Sequence, residues 1–210
     1  MIRSRNEDGY YKRIGYGRWC SYFSQMEYIS ECRPDSVLEL GVGDGIMSSI
    51  LRKMGYEVFT CDLSSEVEAD VTADITNLPF RDNSFDVVAA FQVLEHLPYE
   101  RFVPCLRGLG RISRKYVLIS LPQIRKYIDF QLHLPWMKKN GYLGWFRDIP
   151  RIPAYREPAG HQHYWEIGVK SYPLKRIVAD MRRAGFTISV NRTLPENNYH
   201  RFFVLASPGD

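Results

Sequence analysis

Over residues 16–32, aromatic and apolar side chains recur at roughly helical spacing. Trp19, Tyr22, Phe23, Met26 and Ile29 form the candidate face, which predicts an N-terminal helical segment over about 14–33. Arg33-Pro34-Asp35 interrupts it, since proline disfavours a helical conformation in the residue before it. The pattern then changes to short apolar, β-branched runs separated by turns and helical stretches. Residues 36–40 predict a strand, 41–45 a turn, 46–54 a helix stopped by Gly55, and 56–61 a second strand. A short third strand is expected within 67–73. A fourth follows at 85–90, after the turn signals Pro79 and Asp82-Asn83-Ser84. Pro98 introduces a helix over 99–111, and 116–121 is a fifth strand. A helix over 172–184, stopped by Gly185, precedes strands at 186–190 and 200–206.

The strand-like runs lack strict alternation, which suits the interior of a mostly parallel sheet with helices on both faces. An α/β class follows, with residues 1–210 expected to form a single domain. Residues 122–171 stand apart. They are rich in aromatic residues, histidine, proline and glycine, and too long for a plain connection. This insert is expected to cover part of the sheet's functional edge and to face the substrate.

Composition narrows the class without choosing a partner. Apolar types make up 45% and charged types 25% of the 210 residues, a globular balance. No apolar run is long enough to span a bilayer, and the opening residues lack the apolar core of a secretion signal, so a cytoplasmic location is expected. The formal charge of +4 is mild and does not by itself imply nucleic acid. Cys20, Cys32, Cys61 and Cys105 are widely spaced and read as reduced, mostly buried side chains.

Chemistry first shows in Glu39-Leu40-Gly41-Val42-Gly43-Asp44-Gly45. Glycines permit a tight turn and close ligand approach, and the following helix offers unpaired amides and a partial positive charge. Alone, this turn fits either a cofactor site or a structural turn. Asp62, ending the second strand, is placed to accept from ribose hydroxyls, an arrangement also expected of dinucleotide-binding proteins. Two further segments bear on the choice: Asp74-Ile75-Thr76-Asn77-Leu78-Pro79-Phe80 running on through Asp82 to Val88, and Phe91-Gln92-Val93-Leu94-Glu95-His96-Leu97. In this order after the glycine turn, they resemble the class I, Rossmann-like methyltransferase superfamily, in particular its type-11-like branch. The resemblance covers 36–121 closely and 172–206 more loosely.

The resemblance implies a Rossmann-like three-layer sandwich with a seven-stranded, mostly parallel sheet of order 3-2-1-4-5-7-6, strand 7 antiparallel. It implies S-adenosyl-L-methionine as cofactor and S-adenosyl-L-homocysteine as product. Gly41, Gly43 and Gly45 would wrap the methionine and ribose portions, and Glu39 would fix the ammonium. Asp62 would take the ribose hydroxyls and Asp74 the adenine amino group. Leu63 and Ile75 would pack on the base, with Phe91 and Gln92 near the sulfonium. Each acid also has a bland reading: Glu39 and Asp62 as strand-end acids, Asp74 as a turn initiator. Asp86 reads as an organiser of strand-four backbone.

On the acceptor side, His96 is one candidate base, with a helix-bracing role as its alternative, and Glu95 reads as a helix-start acid. The run Gly160-His161-Gln162-His163-Tyr164-Trp165-Glu166-Ile167-Gly168 resembles segments found between strand five and the next helix in this branch. His163 is the preferred catalytic residue there, with Trp165 as an apolar wall and Glu166 orienting His163 or accepting from substrate. His161, Tyr164, Trp136 and Trp145 are further substrate-side candidates. A lid brace built from hydrogen bonds is the alternative for the whole cluster. No metal is expected, because His161, His163 and Glu166 do not match a standard zinc spacing.

The resulting reading is an enzyme moving methyl from S-adenosylmethionine to oxygen or nitrogen of a small molecule. Methylation of RNA or protein is the alternative suggested by the basic, aromatic insert. An Asp/Asn-Pro-Pro-Tyr-like segment and a Pro-Cys nucleophile pattern are both absent, which lowers the nucleic-acid reading. A non-catalytic cofactor-binding scaffold is a further alternative.

Overall fold

Alternation within the central strands decides the architecture. The computed structural model describes residues 15–124, 127–132, 143–148 and 163–207. In chain order the elements are α1 (Tyr16–Glu31), β1 (Ser36–Leu40), α2 (Ile46–Lys53), β2 (Glu57–Asp62), β3 (Val71–Thr72) and β4 (Phe85–Phe91). They continue with α3 (Phe102–Ile112), β5 (Ser113–Pro122), β6 (Tyr127–Leu132), β7 (Leu143–Asp148), α4 (Leu174–Arg183), β8 (Thr187–Thr193) and β9 (His200–Ala206).

Successive strand residues face opposite sides of the sheet. Leu38 and Leu40, Val88 and Ala90, and Val117, Ile119 and Leu121 pack with Leu106 and Leu109 of α3 and Ile177 and Met181 of α4. Their neighbours Val37, Val87, Ala89 and Leu118 pack with Tyr28 and Ile29 of α1 and Met47 and Leu51 of α2. The sheet is therefore covered on both sides, which gives three layers. Each fully buried leucine or isoleucine in these clusters contributes about 1.5–3 kcal/mol relative to exposure.

The sheet has seven strands in the order β3-β2-β1-β4-β5-β9-β8. Strands β3, β2, β1, β4 and β5 are mutually parallel, and β9 runs antiparallel to both β5 and β8. Counting sheet strands along the chain, this is the expected 3-2-1-4-5-7-6 order with an antiparallel seventh strand. The insert adds a hairpin of its own, β6 paired antiparallel with β7.

The short third strand, Val71–Thr72, lies within the expected 67–73. Other boundaries move. The helix expected from residue 99 begins at Phe102, after a 3-10 turn over Tyr99–Arg101. Pro104 accounts for this: it lacks an N–H and is tolerated only in a helix's first turn. The cysteines are unbridged, with Cys61 and Cys105 buried. Among the described residues, no helix is long and apolar enough to cross a membrane.

Candidate functional site

The parallel strands end along one edge, so Leu40, Asp62, Thr72, Phe91 and Pro122 lie together at their carboxyl ends. The strand order reverses between β1 and β4. That switch point is where an open α/β sheet leaves a crevice for a ligand.

The glycine turn fills the β1 side of this crevice. Gly41, Gly43 and Gly45 have φ of 77°, 64° and 69°, a region L side chains rarely adopt. At Gly41 a Cβ would stand 2.5 Å from Val93 Cγ2, so the turn depends on the missing side chain. Gly45 caps α2, and Asp44 steadies the turn: its Oδ1 accepts from the Ile46 amide at 3.2 Å. Its Oδ2 accepts from Tyr22 at 2.6 Å and Arg18 at 3.1 Å, tying α1 to the turn.

Glu39 is buried on β1, and its Oε2 has no partner among the described residues. Burial pushes its carboxyl up to about 8, opposed by the Ser48 hydroxyl. An orphaned buried carboxyl beside a glycine cradle fits a ligand carrying a cationic amine. Asp62 is buried at the end of β2, with Oδ1 accepting from the Ser64 amide at 3.0 Å. Asp74 is exposed, and its Oδ1 accepts from the Thr76 amide at 2.8 Å, the turn-initiating role open to it from sequence. Leu63 is exposed, while Ile75 packs against the core as a half-buried residue. Phe91 lies against Phe202, and Gln92 follows with φ of 56° and donates through Nε2 to Ser120 Oγ at 3.1 Å. Of the residues the resemblance assigns to the cofactor, the glycine turn, Glu39, Asp62, Leu63, Phe91 and Gln92 stand at the β1, β2 and β4 ends, and Asp74 and Ile75 follow β3.

Asp86 sits away from this edge, at the start of β4. Its Oδ2 accepts from the Asp35 amide at 2.8 Å and its Oδ1 from Arg114 Nε at 2.8 Å. It joins β1 to β4, the backbone-organising role read from its position.

The cluster expected on the acceptor side stands at the ends of β4 and β5. The Tyr164 amide donates to the Glu95 carbonyl and the Ile167 amide to the Pro122 carbonyl, both at 2.9 Å, which pins the 163–167 segment to the sheet edge. His163 Nδ1 is 2.8 Å from Glu166 Oε1, and the His163 and His96 rings meet edge to face with centroids 4.9 Å apart. Tyr199 donates to the same Glu166 oxygen at 2.6 Å. The sequence therefore brings His96, His163 and Glu166 together, and Tyr199 joins them from the β8–β9 connection without any motif to announce it.

Glu95 does stand at a helix start, in the 3-10 turn Leu94–His96, but its side chain is not a solvated cap. It is fully buried, and neither carboxylate oxygen has a partner among the described residues. Burial pushes it up to about 8, and the nearby Glu166 charge acts in the same direction. Trp165 also differs from an open acceptor wall. It is fully buried among Tyr99, Phe102 and Tyr172, with Nε1 donating to the Leu97 carbonyl at 3.0 Å, so it anchors the segment from beneath. Tyr164, next to it, is exposed. His161 and Trp136 lie outside the described residues, as does the side chain of Trp145 on β7.

Comparison with known proteins agrees with this geometry. Residues 38–117 match the family model described as a methyltransferase domain. An uncharacterized protein of Methanocaldococcus jannaschii is 26% identical over 136 residues, covering 59% of this chain and 60% of that protein. A demethylmenaquinone methyltransferase of Beutenbergia cavernae is 25% identical over 152 residues, covering 66% and 60% respectively. The chain thus spans about 60% of the length of these curated relatives. Among solved structures, the Burkholderia thailandensis 1,6-didemethyltoxoflavin-N1-methyltransferase superposes with a TM-score of 0.61 at 13% identity, covering 91% of this chain and 78% of that one. That structure holds S-adenosylhomocysteine and 1,6-didemethyltoxoflavin.

Proposed function

We propose that this chain, a class I, Rossmann-like methyltransferase of the type-11-like branch, transfers methyl from S-adenosylmethionine to oxygen or nitrogen of a small molecule. Residues 1–210 act in this reading as one methyltransferase domain, with 122–171 as its acceptor-side insert. The observation that carries it is the glycine turn at the sheet's switch point, flanked by the buried carboxyls of Glu39 and Asp62.

When bound, the cofactor supplies a methyl group already activated by a positively charged sulfur. Glu39 holds an ammonium with its orphaned oxygen, and Asp62 accepts from vicinal hydroxyls. Phe91 and Gln92 border the reacting end and exclude water from it. The chain's remaining task is to place a nucleophile in line and to remove its proton where that proton is not acidic enough to leave unaided. Glu166, itself bonded by Tyr199, holds His163 by Nδ1, which leaves Nε2 to take that proton. His96, whose ring abuts His163, lines the same acceptor side.

Calorimetric titration with S-adenosylmethionine and S-adenosylhomocysteine tests the cofactor half. Saturable binding is expected, at least tenfold weaker in Asp62→Ala. A folded protein that binds neither ligand would overturn the reading. A labelled-methyl screen tests the acceptor half: label appearing only in RNA or protein would replace the small-molecule acceptor with a polymer.

A further inference from the structure

Glu95 and His96 occupy one 3-10 turn after β4, and His163 reaches them from a distant part of the chain, beside the amide of Tyr164 that bonds the Glu95 carbonyl. One ligand atom from each of Glu95, His96 and His163 lies within 4.8 Å of the others. Glu95 is 0% exposed, and both its carboxylate oxygens lack a partner among the described residues. A carboxyl buried in that state is either protonated or neutralised by a cation. Glu166 places a second buried carboxylate at the same spot, where His163 supplies at most one positive charge.

The imidazole geometry adds an independent indication. His163 Nδ1 faces Glu166 Oε1 at 2.8 Å, and that oxygen also accepts from Tyr199 at 2.6 Å, so Nε2 is left as the ligand atom. A carboxylate behind a histidine is the arrangement that fixes tautomer and ring orientation at metal sites. We propose that Glu95, His96 and His163 form a binding site for a divalent first-row transition cation, with Glu166 and Tyr199 as positioning residues. Two imidazole nitrogens and one carboxylate oxygen suit zinc, iron or manganese better than calcium, which prefers an all-oxygen shell. Three protein ligands leave coordination positions open, the pattern of a working site rather than a structural one.

The sequence predicts no metal, because the neighbours His161, His163 and Glu166 lack a standard spacing and the converging set comes from separate parts of the chain. With the cation bound, His163 Nε2 is a ligand and no longer a proton acceptor. An acceptor hydroxyl in an open position would then lose its proton more readily under the cation's charge. That consequence alone rests on the methyl-transfer reading.

Cobalt(II) is the probe, since its visible absorption reports coordination directly. The full chain is expected to develop a saturable band at one cobalt per chain, displaced by zinc. Glu95→Gln, His96→Asn and His163→Ala are each expected to raise the cobalt Kd at least tenfold, and Glu166→Gln roughly tenfold or more. His96 is exposed, so His96→Asn keeps the test valid should the buried variants fail to fold, as checked by circular dichroism. No saturable band, or a band unchanged in His96→Asn and in the other folded variants, overturns the site and assigns the signal to other imidazoles. Asp62→Ala is expected to leave the band intact, so loss of cofactor binding and loss of metal binding are read separately.

Discussion

At Gly41 a single missing atom defines the glycine turn. A Cβ there meets Val93 Cγ2 at 2.5 Å, on a backbone with φ of 77° that a side chain strains further. Gly41→Ala is therefore expected to cost about 1–3 kcal/mol in stability. It should also weaken cofactor binding at least tenfold, read by thermal melting and calorimetry. Adding Val93→Ala should recover only part of the loss, since it removes the clash and leaves the φ. The need for glycine's φ is legible in sequence because it is local, unlike the contact with Val93. The setting of Glu95 is not: the amide of the distant Tyr164 bonds its carbonyl, and nothing near position 95 reports that. Trp165 illustrates the same limit. Its motif is visible in the sequence, but Tyr99, Phe102 and Tyr172 make it a core anchor from distant positions.

Among the elements, the central strands were readable because apolar runs bounded by turn residues have few other uses in an α/β chain. The short β3 lies inside the span expected for it, and two backbone pairs to β2 fix its bounds. The start of α3 depended on where Pro104 could be tolerated. Asp86 shows how one side chain can bind two such elements. Burial opposes its ionisation, yet the Arg114 guanidinium, the Asp35 amide and Lys115 together hold its carboxyl at about 2. Because the folded pKa lies below the ordinary value of about 3.9, the associated stability is present above pH 4 and is lost as pH falls from about 4 to about 2. Asp86→Asn should lower neutral stability by roughly 2 kcal/mol. Denaturant midpoints across pH should show the gap between the two proteins closing below pH 4. A gap constant down to pH 2 would mean that packing, not charge, is what Asp86 supplies.

Across the whole molecule, α1 connects the glycine turn to the edge that carries Tyr199 and His163. Tyr22 and Arg18 of α1 bond Asp44 in the glycine turn, while Asn197 donates to the Gly17 carbonyl and to Ser21 Oγ. Ser21 Oγ also pairs with His200, which adjoins Tyr199. A helix predicted only from its apolar spacing thus braces both halves of the candidate site, a function that spacing could not reveal. Trp19 and Phe23 of the predicted face are exposed, while Ser21, Ser24 and Gln25 are buried. If Asp44 must be held for the turn to receive its ligand, Tyr22→Phe should weaken S-adenosylhomocysteine binding several-fold with little loss of fold, because the ring and its burial remain. Thermal shift resolves this. At a ligand concentration one hundred times the wild-type Kd, binding adds about 2.7 kcal/mol. For a chain of this size, that raises Tm by about 5–10 °C. Tyr22→Phe should melt near the wild-type temperature without ligand and show a visibly smaller rise at the same concentration. An equal rise in both proteins would show that the turn holds its shape without α1, and the helix would then be a cover for the sheet and no part of the site.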